Sequence, residues 1–377
     1  MTGDCHVRFC ESRGAKSPPA THQGMRRTAT ATALLCLFLA VPCAQGAYDP
    51  LGGGTTKLLL AKRFVSFLKR DGVKLTATAP AKRKGNSLTL PLAGGSIDPT
   101  IGKGEVDSEG ALLFQSAKGR VPLRKLTIKT KHSPLIAKVG GSQLKVATSS
   151  KLSSKREGFG TELSARQLKL SAKVATRLNK KLRPKVPFKA GQPLGSLLSE
   201  ARPQLVTVLA TGKTTLALDP AFVAKLDQRF VSLNPIFPAE HSGPSFTFPI
   251  ISGGQIAPDA STGTLRSGGE LELLQLGGGQ LFWHELWLDL GARVDSAEAN
   301  AQPSPPYPGK EGRVGVLDLG AASVLSDPGA RTIAVSGAPL TLQAATATAL
   351  NQLFAEGRDV FRAGEALGGL SFVAVGQ

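Results

Sequence analysis

Cysteine is scarce in this chain of 377 residues and occurs only near its beginning. The four cysteines are Cys5, Cys10, Cys36 and Cys43. A mature protein that starts after this region would contain no disulfide, no thiolate metal site and no cysteine nucleophile. Three histidines follow residue 46, namely His132, His241 and His284. Their contexts are unrelated and lack a second ligand at metal-binding spacing, so the sequence predicts no metal site.

Long apolar runs are also missing. The segment from Met25 reads "MRRTATATALLCLFLAVPCAQGA", with two arginines, a short apolar core and small residues after it. This pattern predicts that residues 1–46 are a secretory signal peptide with an additional stretch before Met25, and that the mature protein is extracellular and associated with the cell envelope. An N-terminal membrane anchor is the alternative, but the run is shorter than the roughly 20 residues that span a bilayer. A lipid anchor at Cys43 is a second alternative.

The most informative feature of the chain is a passage that occurs twice. Residues 87–114 read "SLTLPLAGGSIDPTIGKGEVDSEGALLF", and residues 245–273 read "SFTFPIISGGQIAPDASTGTLRSGGELEL". Apolar and polar residues alternate in both copies, as they do later in "GRVPLRKLTIK" and "GQLFWHELWLDL", which predicts strands. Near the end of each copy, "FKAGQPLG" matches "FRAGEALG".

Each copy is also predicted to open with a short amphipathic helix. In "TTKLLLAKRFVSFLKRDG" the residues Leu60, Phe64, Phe67 and Leu68 share one helical face. The sequence therefore predicts a mainly β protein made of two tandem homologous domains, residues 55–211 and 212–377, each with short N- and C-terminal flanking helices.

Charge is divided unevenly between the two copies. Residues 51–213 contain 32 Lys and Arg against 8 Asp and Glu, a net charge of +24. Residues 214–377 contain 9 against 16, a net charge of −7. The basic first domain is therefore predicted to bind anionic envelope polymers or a membrane surface. Nucleic acid is not an expected partner, because the chain is exported and this domain has few aromatic residues for base stacking.

In its order of helix, double glycine and "F.AG..L" block, present in both copies, the chain resembles the HtaA-type domain of secreted and surface proteins of actinobacteria. That resemblance implies haem as a ligand, held in the family by an axial tyrosine with a histidine and a second tyrosine nearby. Here Phe67 stands at the position of the first tyrosine, and Phe188 and Phe361 stand at the late position. Tyrosine itself occurs only at Tyr48 and Tyr307.

These departures leave no certain cofactor, and they leave a small apolar or haem-like ligand as the expected one. The candidate ligand-binding residues are Phe67, Phe188, His284 and Phe361, since phenylalanine can stack on a flat apolar ligand. His284 lies in a predicted strand, in which it would point away from both of its neighbours.

The sequence therefore predicts a non-catalytic ligand-binding or adhesive module of the cell envelope. No Gly-x-Ser-x-Gly nucleophile turn occurs, and the carboxylates are scattered along the chain. The alternative is an exported hydrolase that acts on envelope polymers, because paired carboxylates meet only in space.

Overall fold

Strands dominate both halves of the chain, as the alternating apolar pattern predicts. The computed structural model describes residues 48–132, 134–139, 141–291, 295–302 and 313–377, with side chains excepted at 132, 134, 295–302 and 313. The predicted signal peptide, residues 1–46, and Tyr307 lie outside the described residues. None of the helices within these ranges is long and apolar enough to cross a membrane.

The first half of the structure runs from Asp49 to Pro203. Its strands are β1 (Asp49–Leu60), β2 (Lys74–Thr78), β3 (Lys82–Lys84), β4 (Ser87–Ile97), β5 (Gly104–Ser116), β6 (Gly119–Lys129), β7 (Pro134–Val139), β8 (Ser142–Thr148), β9 (Lys151–Glu157), β10 (Gly160–Leu170) and β11 (Pro193–Pro203). Its helices are α1 (Lys62–Arg70) and α2 (Ala172–Leu182), and a single 3-10 turn covers Thr130–His132.

The second half runs from Val206 to Gly376. Its strands are β12 (Val206–Leu218), β13 (Val231–Ile236), β14 (Glu240–Ser242), β15 (Ser245–Pro249), β16 (Gln255–Ile256), β17 (Gly263–Gln275), β18 (Gln280–Leu290), β19 (Asp295–Gln302), β20 (Arg313–Leu319), β21 (Ser323–Asp327), β22 (Thr332–Leu342) and β23 (Ala366–Gly376). Its helices are α3 (Pro220–Asp227) and α4 (Ala344–Phe354).

The sheet of the first half closes on itself. Strands follow one another in the order β4-β5-β6-β7-β8-β10-β11-β1, and β1 pairs again with β4, so eight antiparallel strands form a barrel. The second sheet repeats this order as β17-β18-β19-β20-β22-β23-β12, and the short strand β16 joins β12 to β17. Closure leaves few unpaired strand edges, which are a liability for aggregation.

The repeated residues occupy matching places in the two sheets. Pro91 pairs with Thr55 in the first, and Pro249 pairs with Lys213 in the second. The residue just before each partner is a glycine with positive φ, 122° at Gly54 and 104° at Gly212. A Cβ at either glycine would lie about 2.0 Å from a carbonyl oxygen of the adjacent strand, so both positions require glycine.

The helices differ from the prediction in their position. Thr55–Leu60, predicted as the start of a helix, belongs to β1, where Leu58 and Leu60 are buried and Leu59 is 54% exposed. The side chains in this stretch therefore alternate between buried and exposed, as in a strand, although their spacing also fits a helix. Each helix follows a strand of its sheet and precedes another, so the helices lie within each half and do not flank it. The predicted starting points, residues 55 and 212, fall inside β1 and β12.

The two halves contact each other through a buried phenylalanine and a hydrogen bond. Phe159, between β9 and β10, is 6% exposed and packs in the hydrophobic core of the second half. The Asp49 carboxylate accepts a hydrogen bond from the Thr207 amide at 2.9 Å. Its second oxygen is buried and has no hydrogen-bond partner among the described residues. Burial accordingly raises the pKa of Asp49 above its ordinary value of 3.8.

Candidate ligand-binding site

Two asparagines fix the phenylalanines of the "F.AG" blocks. The Asn179 side chain, on α2, donates to the carbonyl oxygen of Phe188 at 2.9 Å and accepts from its amide at 2.7 Å. Asn351, on α4, holds Phe361 by the same two bonds, each 2.8 Å long, and accepts a third from the amide of Val360 at 2.9 Å. Because the polar groups of a buried backbone must be paired, each asparagine determines where its phenylalanine enters the core.

In the first half, four phenylalanines form one cluster. The ring centroid of Phe188 lies 5.1 Å from that of Phe67, 6.3 Å from that of Phe64 and 6.4 Å from that of Phe114. Three of these residues are buried, and Phe67 is only partly buried. The guanidinium carbon of Arg70 lies 5.7 Å from the centroid of the Phe67 ring. Phe67 is therefore the accessible member of the cluster.

The second half has a lysine where the first half has Phe67. Aligning the helices so that Phe64 matches Phe222 places Lys225 at this position. The Lys225 ammonium donates a hydrogen bond to the carboxylate of Glu365, within the second "F.AG" block. An ion pair thus stands where the first half presents an aromatic ring.

Phe361 is buried in the second half, in contrast to the partly exposed Phe67 of the first. It is fully buried, its ring centroid lies 5.9 Å from that of Phe222, and the guanidinium carbon of Arg229 lies 5.8 Å from it. Phe188 is likewise buried beneath the surface of its half. Of the three phenylalanines named from the sequence, the structure therefore brings Phe67 and Phe188 together in the first half and places Phe361 in the core of the second.

His284 lies on β18 in the second half, apart from the aromatic cluster of the first. Its Nδ1 is 2.9 Å from Oε1 of Glu270, and its ring stacks on Phe282 with the centroids 5.4 Å apart. Nε2 is buried and has no hydrogen-bond partner among the described residues. The predicted strand alternation is wrong at the next residue: Glu285 has φ 49° and forms a bulge, so that it shares the outer face with His284.

A small enclosed cavity lies between the described residues of the first barrel. This cavity, lined by apolar side chains, measures about 10 Å³, which is at the limit for one water molecule. An open groove of about 520 Å³ lies outside, where β1 leads into α1. Leu59, Ala61 and Pro193 give it apolar walls, and Lys62 and Lys169 give it positive charge.

Tyr48, the tyrosine that the structure describes, does not join the phenylalanine cluster. Tyr48 is 48% exposed and stands immediately before β1, with no ring contact to another described residue. Over the described ranges, no group of three or more His, Cys, Asp and Glu side chains is arranged to hold a metal ion.

Carboxylates converge at one place, a cleft of about 360 Å³ beside Phe159. Glu162 and Glu200 face each other on β10 and β11, and Glu157 also lines the cleft. Lys57 pairs with Glu200 at 3.2 Å, and Lys155 pairs with Glu157 at 3.0 Å. These carboxylates are about half exposed, so the cleft offers a hydrated surface with two of its three charges already paired.

A scan of protein-family models gives no match to the chain, and a search of curated proteins gives none either. A search of solved structures returns domains of the type that the sequence pattern resembles. They include the C-terminal domain of HtaA from Corynebacterium glutamicum, with 17% identity, a TM-score of 0.35 and coverage of 45% of this chain and 98% of that one. The N-terminal domain of HtaA has 14% identity, a TM-score of 0.34 and coverage of 45% and 99%. The heme binding protein HtaB of the same organism has 10% identity, a TM-score of 0.32 and coverage of 46% and 95%.

Proposed function

We propose that the protein is a secreted, non-catalytic ligand-binding module of the cell envelope, built from two HtaA-like domains near residues 55–211 and 212–377. The first domain binds a flat apolar ligand of the haem type at its outer surface. The second domain does not bind such a ligand at the equivalent position. Haem is proposed as a ligand without tyrosinate ligation, because Phe67 and Phe188 stand where phenolates would be needed.

The observation that carries this proposal is the contrast between Phe67 and Lys225. Phe67 offers a partly exposed ring next to the cation of Arg70, whereas Lys225 is paired with Glu365. Ring stacking contributes about 0.5–1.5 kcal/mol beyond the burial of area. A phenolate bond to ferric iron is missing, so binding should be weak, and pairing of carboxylates with exposed lysines and arginines should make it salt-sensitive.

A haemin titration of the full chain, followed by absorbance, tests this proposal. Phe67→Ala should weaken binding about two- to tenfold, the equivalent of the stacking energy. Lys225→Ala changes the same helical position in the second domain and should leave the affinity unchanged. A tight complex with an axial-tyrosinate spectrum, or equal losses in the two variants, would contradict the proposal.

The charge of the first domain favours a second function, attachment to anionic envelope polymers or membrane surfaces. Residues 51–213 carry a net charge of +24, whereas residues 214–377 carry −7. Attraction between exposed charges acts over a Debye length of about 8 Å at physiological ionic strength. The full chain should therefore bind polyanionic beads at low salt and leave them as salt rises, and binding that persists at high salt would argue against a charge-driven contact.

The hydrolase alternative depends on the cleft at Glu162 and Glu200. Facing carboxylates on neighbouring strands are close enough for the two-carboxylate chemistry of glycoside hydrolysis. Release of reducing ends from an envelope polysaccharide, abolished in both Glu162→Gln and Glu200→Gln, would establish the enzyme and displace the binding proposal.

A further inference from the structure

Two β-bulges at equivalent places in the two halves have the same backbone conformation but carry different charged side chains. In β6, Lys125 has φ 50°, and in β18 Glu285 has φ 49°. The register with the preceding strand shifts between Ser108 and Ala111 in the first half and between Ser267 and Glu270 in the second. The register with the following strand also shifts at each bulge. A bulge places two consecutive side chains on one face of a sheet. Here that face is the outer one.

In the second half the charges at the bulge are compensated. Arg266 donates to Glu285 at 3.0 Å, and its guanidinium carbon lies 4.3 Å from the centroid of the Trp287 ring. Glu270, directly across from His284, contacts Nδ1 of that histidine. Each charged group of this bulge therefore has a neighbour of complementary chemistry.

In the first half the two bulge positions carry only positive charge, and Asp107 stands at the place of Arg266. Arg124 and Lys125 are exposed, and Ala111 stands across from Arg124 where the second half has Glu270. On the other side Arg124 pairs in register with Lys138 of β7. The three cations, with Pro122, line an open cavity of about 490 Å³.

No ion pair between described residues involves the three cations of this cavity. Among the described residues, Arg124, Lys125 and Lys138 make no ion pair, and Glu109, opposite the bulge in β5, makes none with them. Asp107 accepts a hydrogen bond from Thr127 at 2.5 Å. Three like charges around one cavity repel one another, and a bound anion would relieve that repulsion.

We propose that this cavity is a binding site for a phosphate group. The inference rests on the proposed attraction of the first domain to polyanions, and it assigns that attraction to named residues. A phosphomonoester carries a charge of about −1.5 to −2 and three strong acceptor oxygens. It can therefore engage a guanidinium and two ammonium groups together. A carboxylate has a single charge, so it compensates only one of the three cations.

The test compares polyphosphoserine, in which each residue carries a phosphomonoester, with polyglutamate for binding to the full chain. Both are used at equal charge concentration, low ionic strength and about pH 8, where histidine is neutral. The site variant is Arg124→His with Lys125→Glu, which introduces the residues that the second half carries at its own bulge and lowers the net charge by three. The control is Lys82→Glu with Lys84→Gln on the exposed edge strand β3, which lowers the net charge by the same amount.

The parent should prefer polyphosphoserine. The site variant should lose at least about tenfold in affinity for it, as expected for two charge-assisted hydrogen bonds. The control should lose less than about twofold, and phosphate should raise the Tm of the parent but not of the site variant. Vesicles with and without phosphatidic acid present the group on a lipid, and a dependence on Arg124 and Lys125 there identifies a headgroup as the source.

Three outcomes would overturn the proposal, and they differ in whether the general attraction to polyanions would remain supported. Equal losses in the site and control variants would mean that charge is diffuse, so the attraction to polyanions would survive without the site. Equal binding of polyglutamate and polyphosphoserine by the parent would refute the preference for phosphate. Failure of the parent to bind either polymer at low ionic strength would refute the underlying attraction as well.

Discussion

Replacing Asn351 with alanine should destabilise the second half selectively. The side chain of Asn351 makes three hydrogen bonds of 2.8–2.9 Å to the backbone of Val360 and Phe361, and Phe361 is fully buried. A hydrogen bond contributes about 1 kcal/mol net, and a buried group left without a partner costs about 1–3 kcal/mol. We therefore expect Asn351→Ala to lower the free energy of unfolding by about 3 kcal/mol.

The tryptophans make this effect measurable in one half. Both of them, Trp283 and Trp287, lie on β18, so tryptophan fluorescence during urea unfolding follows the second half. Asn234→Ala serves as the control, since the Asn234 side chain donates hydrogen bonds to the side chains of Ser232 and Glu272 and not to a buried backbone group. The control should change the free energy by less than about 0.5 kcal/mol. A loss that small in Asn351→Ala would refute the role given to the asparagine.

Two further predictions concern the contact between the halves. Phe159→Ala should lower the free energy of unfolding by about 3 kcal/mol, because it leaves a cavity at a buried phenylalanine site. It should also separate the urea unfolding transitions of the two halves. An unchanged transition would mean that the halves are not coupled through Phe159. Asp49→Asn should become more stabilising relative to the parent as pH rises. The raised pKa means that the folded state binds the proton of Asp49 more tightly than the unfolded state does. The parent therefore loses stability as the pH rises from 3.8 through the folded pKa, whereas the variant does not. A difference in unfolding free energy between parent and variant that stays constant from about pH 3 to 7 would contradict this prediction.

The class of fold could be predicted from the sequence because its signals are local. Alternation in "LTLPL" and "FTFPI" marks strands, and these passages do lie in β4 and β15. The stretch Thr55–Leu60 was open to two interpretations, since Leu60 and Phe64 also share a helical face. Only pairing with β4 and β11, from distant parts of the chain, determines that it is a strand.

The chemistry of the site was harder to predict, because it depends on contacts between residues far apart in sequence. Lys225 and Glu365 are separated by 140 residues, so their ion pair has no local signal. The bulges at Lys125 and Glu285 require positive φ in residues that rarely adopt it, which strand periodicity does not indicate. Asn179 and Asn351 did leave a signal, the shared "LN" in "ATRLNKK" and "ATALNQL", but its meaning appears only when the helix is seen beside the "F.AG" block.

Asn179 and Asn351 make equivalent hydrogen bonds to the backbone in their respective halves, whereas the exposed residues of the two halves differ. This difference between buried and exposed positions has a physical basis. A buried backbone group must be paired wherever the chain folds this way, so the asparagine cannot change without a large loss of stability. An exposed position such as that of Phe67 or Lys225 carries no such requirement and can hold a ring or an ion pair at little cost. Asn179→Ala should therefore impair both the stability and the ligand binding of the first half, whereas Phe67→Ala should impair binding alone. If Phe67→Ala proved as destabilising as Asn179→Ala, Phe67 would be a core residue and the ligand site would have to lie elsewhere.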